Sequence, residues 1–79
     1  MNFRISFFAA PSAPNALARM LSQGIGRFDA LDLARQVARD NADNPNIGRT
    51  HSFIVESMDD DSIMEHWIRD ESGWRQENA

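Results

Sequence analysis

Three residue types are missing from this 79-residue chain: it has no cysteine, no tyrosine and no lysine, so all eight of its basic residues are arginine. The absence of cysteine excludes disulfide cross-links, thiol catalysis and the cysteine-based zinc sites that stabilise many small domains. An apolar core must therefore hold the fold together. The hydrophobic share of 42%, with five Phe and two Trp, is sufficient for one small globular domain.

Long hydrophobic runs are also lacking. After Arg4 the apolar stretch I-S-F-F-A-A has six residues, fewer than the roughly 7 to 15 of a signal-peptide core. No stretch approaches the roughly 20 apolar residues of a membrane-spanning helix. We therefore expect a soluble, cytoplasmic protein without a membrane partner.

The charge is divided unevenly along the chain. Residues 1–50 carry six Arg against four Asp, whereas residues 51–79 carry two Arg against eight acids, so the two parts have net charges of +2 and −6. An acidic C-terminal part and a sequence pI near 4.9 disfavour direct binding to nucleic acid and favour a basic protein partner. Solubility alone explains a net charge of this size equally well.

The clearest periodicity in the chain lies in residues 28–44 and predicts an amphipathic helix. Asp29 is well placed as the N-cap, and Asn44 before Pro45 predicts the end, because proline disfavours helical geometry at the preceding residue. The apolar face is formed by small and aliphatic residues at helical spacing, with one amide at its end: Ala30, Leu33, Ala34, Val37, Ala38 and Asn41.

A strand is predicted before this helix, over residues 2–8. Phe3, Ile5 and Phe7 alternate there with Arg4 and Ser6, which is the pattern of a half-buried strand.

A short helix is predicted between that strand and the main helix, over residues 15–23. Its apolar residues Leu17, Met20 and Leu21 stand at helical spacing, and Gly24 follows at the position where helices commonly end in a left-handed residue.

The last third of the chain fits two structures. A second strand is predicted over residues 50–58, and the segment after it has helical spacing as well as turn residues at 59–61 and 70–73. We favour a β-hairpin, in which Phe53 faces Trp67 across the two strands as an aromatic pair. Trp74 would then fold back onto the sheet.

These elements predict a single small domain of the α/β (α+β) class over residues 1–74. The order is β-α-α-β-β, with a three-stranded sheet and two helices on one of its faces. Residues 75–79 are expected to form a flexible C-terminal tail. Three strands leave two free edges, so a homodimer remains an open alternative.

Helix, glycine turn, helix and hairpin is also the order of a winged-helix domain. A small DNA-binding transcriptional regulator is therefore the alternative function, with Arg35 and Arg39 as groove contacts. Three aspartates flank these arginines, at positions 32, 40 and 43, and weaken the positive surface that phosphate binding requires.

No residue pattern indicates catalysis, a cofactor or a metal site. His51 and His66 are predicted to point to opposite faces of the hairpin, and no nucleophile motif accompanies them. The run of aspartates at 59–61 lacks the alternation and the central glycine of an EF-hand loop. We therefore expect no enzymatic activity, no cofactor and no bound metal.

A compact, acidic, cysteine-free α/β domain of this length resembles the small phage-encoded anti-CRISPR inhibitors. The concentration of charge in one terminal part and the absence of a catalytic signature belong to the same resemblance. It is a resemblance of class without a shared motif, so no residue role is carried over. It implies a stoichiometric blocker that occupies a protein surface, often one that binds nucleic acid, on a bacterial CRISPR-Cas effector complex.

The sequence therefore predicts a non-enzymatic interaction protein that binds a basic protein surface. Electrostatic attraction would steer the two proteins together, and a buried indole would anchor them. The predicted partner-binding residues are Glu56, Asp59, Asp60, Asp61, Glu65, Trp67, Asp70, Glu71 and Trp74.

Overall fold

The structure is a computed structural model that describes residues 2–14, 16–23 and 28–77. The described residues form one helix and a single sheet of five strands, which pair antiparallel in the spatial order β2-β1-β3-β4-β5. Along the chain the elements are β1 (Phe3–Phe8), β2 (Met20–Gln23), α1 (Leu31–Asn41), β3 (Ser52–Ser57), β4 (Ile63–Asp70) and β5 (Gly73–Gln76).

The core lies between α1 and the two central strands, β1 and β3. Alternate residues of each strand point toward the helix, as the period of two in residues 2–8 predicts. Ala34 and Ala38 of α1 are small enough for the helix to lie close to the sheet. The buried apolar side chains are Phe3, Ile5, Phe7, Ala34, Ala38, Ala42, Phe53 and Val55.

The predicted hairpin at the C-terminal end is confirmed, including its register. Phe53 of β3 lies directly opposite Trp67 of β4, and the two rings stack with their centroids 6.3 Å apart. Trp74 of β5 also contacts Phe53, edge to face, with a centroid distance of 5.0 Å. Phe53 is therefore the centre of an aromatic cluster on the face of the sheet that carries the helix.

The predicted three-stranded sheet with two helices is wrong. The sheet has five strands, and the described residues contain one helix, because β2 and β5 add an edge strand on each side of the predicted three. β5 includes Arg75 and Gln76, which the sequence assigned to a tail, and the N–H of Glu77 still donates to the carbonyl of His66.

The prediction of a helix over residues 15–23 is wrong because Met20–Gln23 form β2. In the observed structure the apolar residues predicted for this helix remain largely exposed, Leu17 by 95% and Met20 by 47%. As a strand, the same segment pairs with the free edge of β1, where Phe7 faces Ser22 and Phe8 faces Met20. The backbone hydrogen bonds of this pairing stabilise the strand more than three apolar residues at helical spacing would stabilise a helix. The proposed stop at Gly24 lies outside the described residues.

The main helix is shorter than the predicted range 28–44, and its start differs. Phe28 still pairs as an isolated bridge with Phe3, donating and accepting one backbone hydrogen bond each at 3.2 and 2.8 Å. The chain bends at Asp29 and Ala30 after this pairing, and Ala30 takes the N-cap position without a side-chain hydrogen bond, so the predicted cap at Asp29 is wrong. Leu33, predicted for the buried face, is 46% exposed.

The helix α1 covers only part of this face of the sheet. The helix packs against β1 and β3 and does not approach the backbone of β4 or β5. On this side of the sheet, β4 and β5 are covered by their own large side chains and by the arginines of the helix. That half of the face carries the principal candidate site.

Candidate partner-binding surfaces

The structure does not bring all of the predicted partner-binding residues together. Asp59, Asp60 and Asp61 lie in the turn between β3 and β4, whereas Asp70 and Glu71 lie at the turn between β4 and β5. The eight residues of β4 separate these turns by about 25 Å, at a rise of roughly 3.3 Å per residue. These five acids therefore form two small groups at opposite ends of one hairpin.

The β3–β4 turn is acidic, but two of its three aspartates also hold the turn in shape. Asp60 accepts hydrogen bonds from the hydroxyl and the backbone N–H of Ser62, which lower the pKa of Asp60. Asp61 has a left-handed backbone (φ 60°) and accepts a hydrogen bond of 2.8 Å from Arg4. Asp59 is exposed, and its backbone N–H donates to the hydroxyl of Ser57.

Glu56 is engaged within the protein. It lies opposite Arg4 in the pairing of β1 with β3, and its carboxylate accepts two hydrogen bonds of 3.3 Å from the Arg4 guanidinium. The hydroxyl of Ser6 donates a third bond, at 3.0 Å. Because Arg4 alternates with Phe3 and Ile5, this cluster lies on the face away from α1. Glu56 therefore stabilises the pairing of the two central strands.

Glu65, Trp67 and Trp74 do lie on one surface, together with side chains from α1. The Glu65 carboxylate is 5% exposed and accepts hydrogen bonds from Nε and Nη2 of Arg35, the first at 2.8 Å. It also accepts a 2.7 Å bond from Nε1 of Trp67. The hydrogen bonds between Arg35 and Glu65 are the main reason that the pKa of Glu65 lies below its usual range. The same bonds raise the pKa of Arg35. This buried carboxylate fixes an arginine of the helix and an indole of the sheet in place.

Next to this network the helix and β5 form a groove of about 590 Å³, which we call the Trp–Arg groove. The guanidinium groups of Arg35 and Arg39 each lie 5.9 Å from the centre of the Trp67 ring. Arg39 is exposed and takes part in none of the ion pairs among the described residues. The groove is lined by Asp32, Arg35, Gln36, Arg39, Asp40 and Trp74.

The contribution of the helix to this surface is missing from the predicted partner-binding set. The sequence identified Arg35 and Arg39 only as DNA contacts of the alternative function. Two sequence predictions lead to the groove when they are combined. The helix lies on one face of the sheet, and Trp67 lies opposite Phe53, which points to that face in the structure. Two arginines one helical turn apart then meet the indole.

The two histidines are separated, and no metal-binding cluster occurs in residues 2–14, 16–23 and 28–77. His66 faces Ile54 in the pairing of β3 with β4, one residue out of phase with the aromatic cluster. His51 precedes β3 and lines a different cleft. In the described part of the chain, the one helix is too short to cross a membrane.

No protein-family model matches this chain, no curated protein matches it in sequence, and no solved structure matches its fold. The chemistry of the surfaces described above is therefore the basis for a proposed function.

Proposed function

We propose that this protein is a non-enzymatic interaction protein that binds a partner protein through the Trp–Arg groove. The observation that supports this is the placement of two half-buried indoles, Trp67 and Trp74, beside Arg35 and Arg39 on a part of the sheet that α1 leaves uncovered. Trp and Arg are the residues that most often dominate the binding energy of protein interfaces. A partner side chain that enters the groove would contact Trp74 together with Arg35 and Arg39.

The groove is also preorganised for binding. Glu65 holds Arg35 and Trp67, and Trp74 packs edge to face on the buried Phe53. Side chains that are already fixed lose little conformational entropy when a partner binds, so more of the contact energy contributes to affinity.

The exposed acids in and near the groove favour a basic partner. Asp32 pairs with Arg35 at 3.1 Å, so Asp40 is the lining acid that forms no ion pair among the described residues. Asp59 and Asp60 are exposed at the β3–β4 turn. An arginine or lysine of the partner could stack on Trp74 and approach Asp40 in the same groove. Attraction by the acidic turn would accelerate the encounter more than it would strengthen the final complex.

As the specific form of this function we propose an anti-CRISPR-type inhibitor that acts in the cytoplasm. The support is the class resemblance of a small acidic domain, together with a preformed groove suited to a basic protein surface. Effector complexes that bind nucleic acid present surfaces of this kind. The DNA-binding alternative is not proposed here, because the first helix of its helix-turn-helix is replaced by strand β2.

The test is an interference assay in a bacterium whose CRISPR-Cas effector destroys a target plasmid. Expression of this protein is expected to restore plasmid transformation. Trp74→Ala and Arg39→Ala are each expected to weaken binding to the purified effector by about 30-fold or more, as for an interface hot spot of 2 kcal/mol. Binding is measured by surface plasmon resonance, and circular dichroism checks that the variants are folded.

Ile63→Ala is the matched control, since Ile63 is 60% exposed and does not line the groove. Arg39→Ala is the variant that is expected to fold normally, because Arg39 is exposed whereas Trp74 packs on the core. Unchanged binding by both groove variants would show that the partner binds elsewhere. Wild-type protein that fails to protect the plasmid against each effector class tested would remove the inhibitor function.

A second expected result concerns the acidic turn. The double variant Asp59→Arg, Asp60→Asn is expected to slow association with the same partner about tenfold at low salt, with little change in dissociation. Asn at position 60 still accepts the hydrogen bonds from Ser62, and Asp61 is kept because it bonds to Arg4. Stopped-flow association at several salt concentrations measures the effect.

Glu71→Arg, at the opposite end of the hairpin, changes the net charge by two units against three in the double variant and is the control for a general change in net charge. An equal loss of association rate in this control would contradict a specific role for the β3–β4 turn.

A further inference from the structure

A second cleft, separate from the Trp–Arg groove, lies where the three central strands end. The N–H of His51 donates to the carbonyl of Phe8 at 2.8 Å, and the N–H of Arg69 donates to the carbonyl of His51 at 2.9 Å. These bonds bring the end of β1, the start of β3 and the end of β4 together around a cleft of about 440 Å³. Its polar lining includes Arg49, Thr50, His51, Arg69, Asp70 and Glu71.

Two buried donors beside this cleft lack a hydrogen-bond partner among the described residues: the Thr50 hydroxyl and Nε of Arg69. Thr50 is 1% exposed. The other nitrogens of Arg69 are occupied, since Nη1 donates to Asp43 at 2.9 Å and Nη2 donates to the carbonyl of Thr50 at 2.7 Å. A buried polar group without a partner is unfavourable, so two adjacent ones indicate a position for an additional acceptor.

The nearby acids do not supply that acceptor. Both carboxylate oxygens of Asp43 accept from Nη1 of Arg69 and not from its Nε. The two oxygens of Asp70 accept from the N–H of Ser72 and from Arg75. Glu71 is exposed in the turn, and neither it nor Arg49 takes part in an ion pair of the described residues. The cleft therefore combines two unpartnered buried donors with an exposed guanidinium and the imidazole of His51.

We propose that this cleft binds a small oxyanion, a carboxylate or phosphate group, between Arg49, His51 and the Thr50–Arg69 pair. Oxygens of such a group accept hydrogen bonds from guanidinium, hydroxyl and imidazole donors together, and the planar fork of arginine matches both groups. The two clefts share no lining residue, although Arg69 of this cleft lies over the ring of Trp74, a residue of the Trp–Arg groove, at 4.7 Å. The proposal does not depend on the function proposed for that groove.

The test is an NMR titration of the full chain with inorganic phosphate and, separately, with acetate. The Nε–H group of Arg69 gives its own signal, and this signal is expected to shift downfield together with the backbone amides of Thr50 and His51. The signal of Arg35 Nε–H, which already donates to Glu65 outside this cleft, serves as an internal reference. Shifts with phosphate alone or with acetate alone support the site and identify which of the two groups it takes.

Three variants sharpen the test. Arg49→Gln and Thr50→Val are each expected to weaken anion binding about tenfold, the effect of one hydrogen bond to a charged group. Arg39→Gln makes the same charge change in the Trp–Arg groove and is expected to leave anion binding unchanged. Thr50→Val is isosteric and is expected to be at least as stable as the wild type in anion-free buffer, because it removes an unpartnered hydroxyl.

Three results would overturn the proposal. The first is that neither anion shifts these signals at millimolar concentration. The second is that Arg39→Gln weakens binding as much as Arg49→Gln, which would indicate general attraction to arginine. The third is that Thr50→Val is clearly less stable without anion, which would show that the hydroxyl already has a partner within the free protein.

Discussion

Replacement of Phe53 by Ala is expected to cost about 3–5 kcal/mol of folding free energy, the range measured for buried phenylalanines. Phe53 is fully buried and contacts the rings of Phe7, Trp67 and Trp74. Its removal leaves a cavity below three aromatic rings that cannot all move to fill it. A domain of this size has only about 5–10 kcal/mol of stability, so most of it would be lost.

Urea denaturation followed by tryptophan fluorescence measures this effect, since both indoles contact the deleted ring. The midpoint of thermal unfolding is expected to fall by about 15–30 °C. Leu17→Ala is the control: Leu17 is 95% exposed, and its truncation should change stability by less than about 0.5 kcal/mol. A loss of less than about 1 kcal/mol in Phe53→Ala would contradict the central role of this aromatic cluster.

The C-terminal hairpin shows what the sequence can predict. In a strand, the side-chain direction repeats every two residues, so alternation and a tight turn together determine which residues face each other. The register of Phe53 opposite Trp67 follows from such local information and is confirmed. The strand over residues 2–8 follows in the same way.

Strand β2 shows what local information cannot predict. The spacing of Leu17, Met20 and Leu21 fits a helix, and nothing within the segment favours a strand. Its conformation depends on the free edge of β1, which forms only when the chain folds. The start of α1 is determined in the same non-local way, because the bridge to Phe3 holds Phe28 in a strand pairing two residues before the N-cap Ala30.

The candidate site could be predicted in part, for a related reason. The sequence predicts Trp67 and Trp74 as anchors because a buried indole often dominates the binding energy of an interface. The sequence does not show which acids are hydrogen-bonded within the protein, because their partners are distant in sequence. Glu56 bonds to an arginine 52 positions away, and Glu65 bonds to one 30 positions away. The net charge of −6 of residues 51–79 therefore overstates the charge that is free for a partner.

Glu65→Gln is expected to destabilise the fold by about 2–3 kcal/mol, because it removes a buried carboxylate that accepts three hydrogen bonds, two of them from Arg35. The amide of Gln cannot neutralise the guanidinium, and only its oxygen can accept a bond. Arg35 is 30% exposed in its side chain, so water compensates part of the loss. Glu71→Gln, at an exposed turn position, is expected to change stability by less than about 0.5 kcal/mol.

The same pair gives a pH dependence of known sign. Arg35 lowers the pKa of Glu65 in the folded state, so the stabilisation is fully present above the ordinary glutamate pKa of about 4.3. It is lost as the pH falls from that value through the lowered pKa of the folded state. Urea midpoints of wild type and Glu65→Gln should therefore differ by a constant amount from neutral pH down to about pH 5, and converge in more acidic solution.

A double-mutant cycle with Arg35→Gln separates this pair from its surroundings. The coupling energy between Arg35 and Glu65 is expected to be about 1–3 kcal/mol at neutral pH and to fall on acidification with the same profile as the stability difference. A coupling energy that does not change with pH would mean that the pair is held by packing and not by charge. In that case Glu65 would not be the group that preorganises the Trp–Arg groove, and Arg35 and Trp67 would owe their positions to the packing of α1 on the sheet.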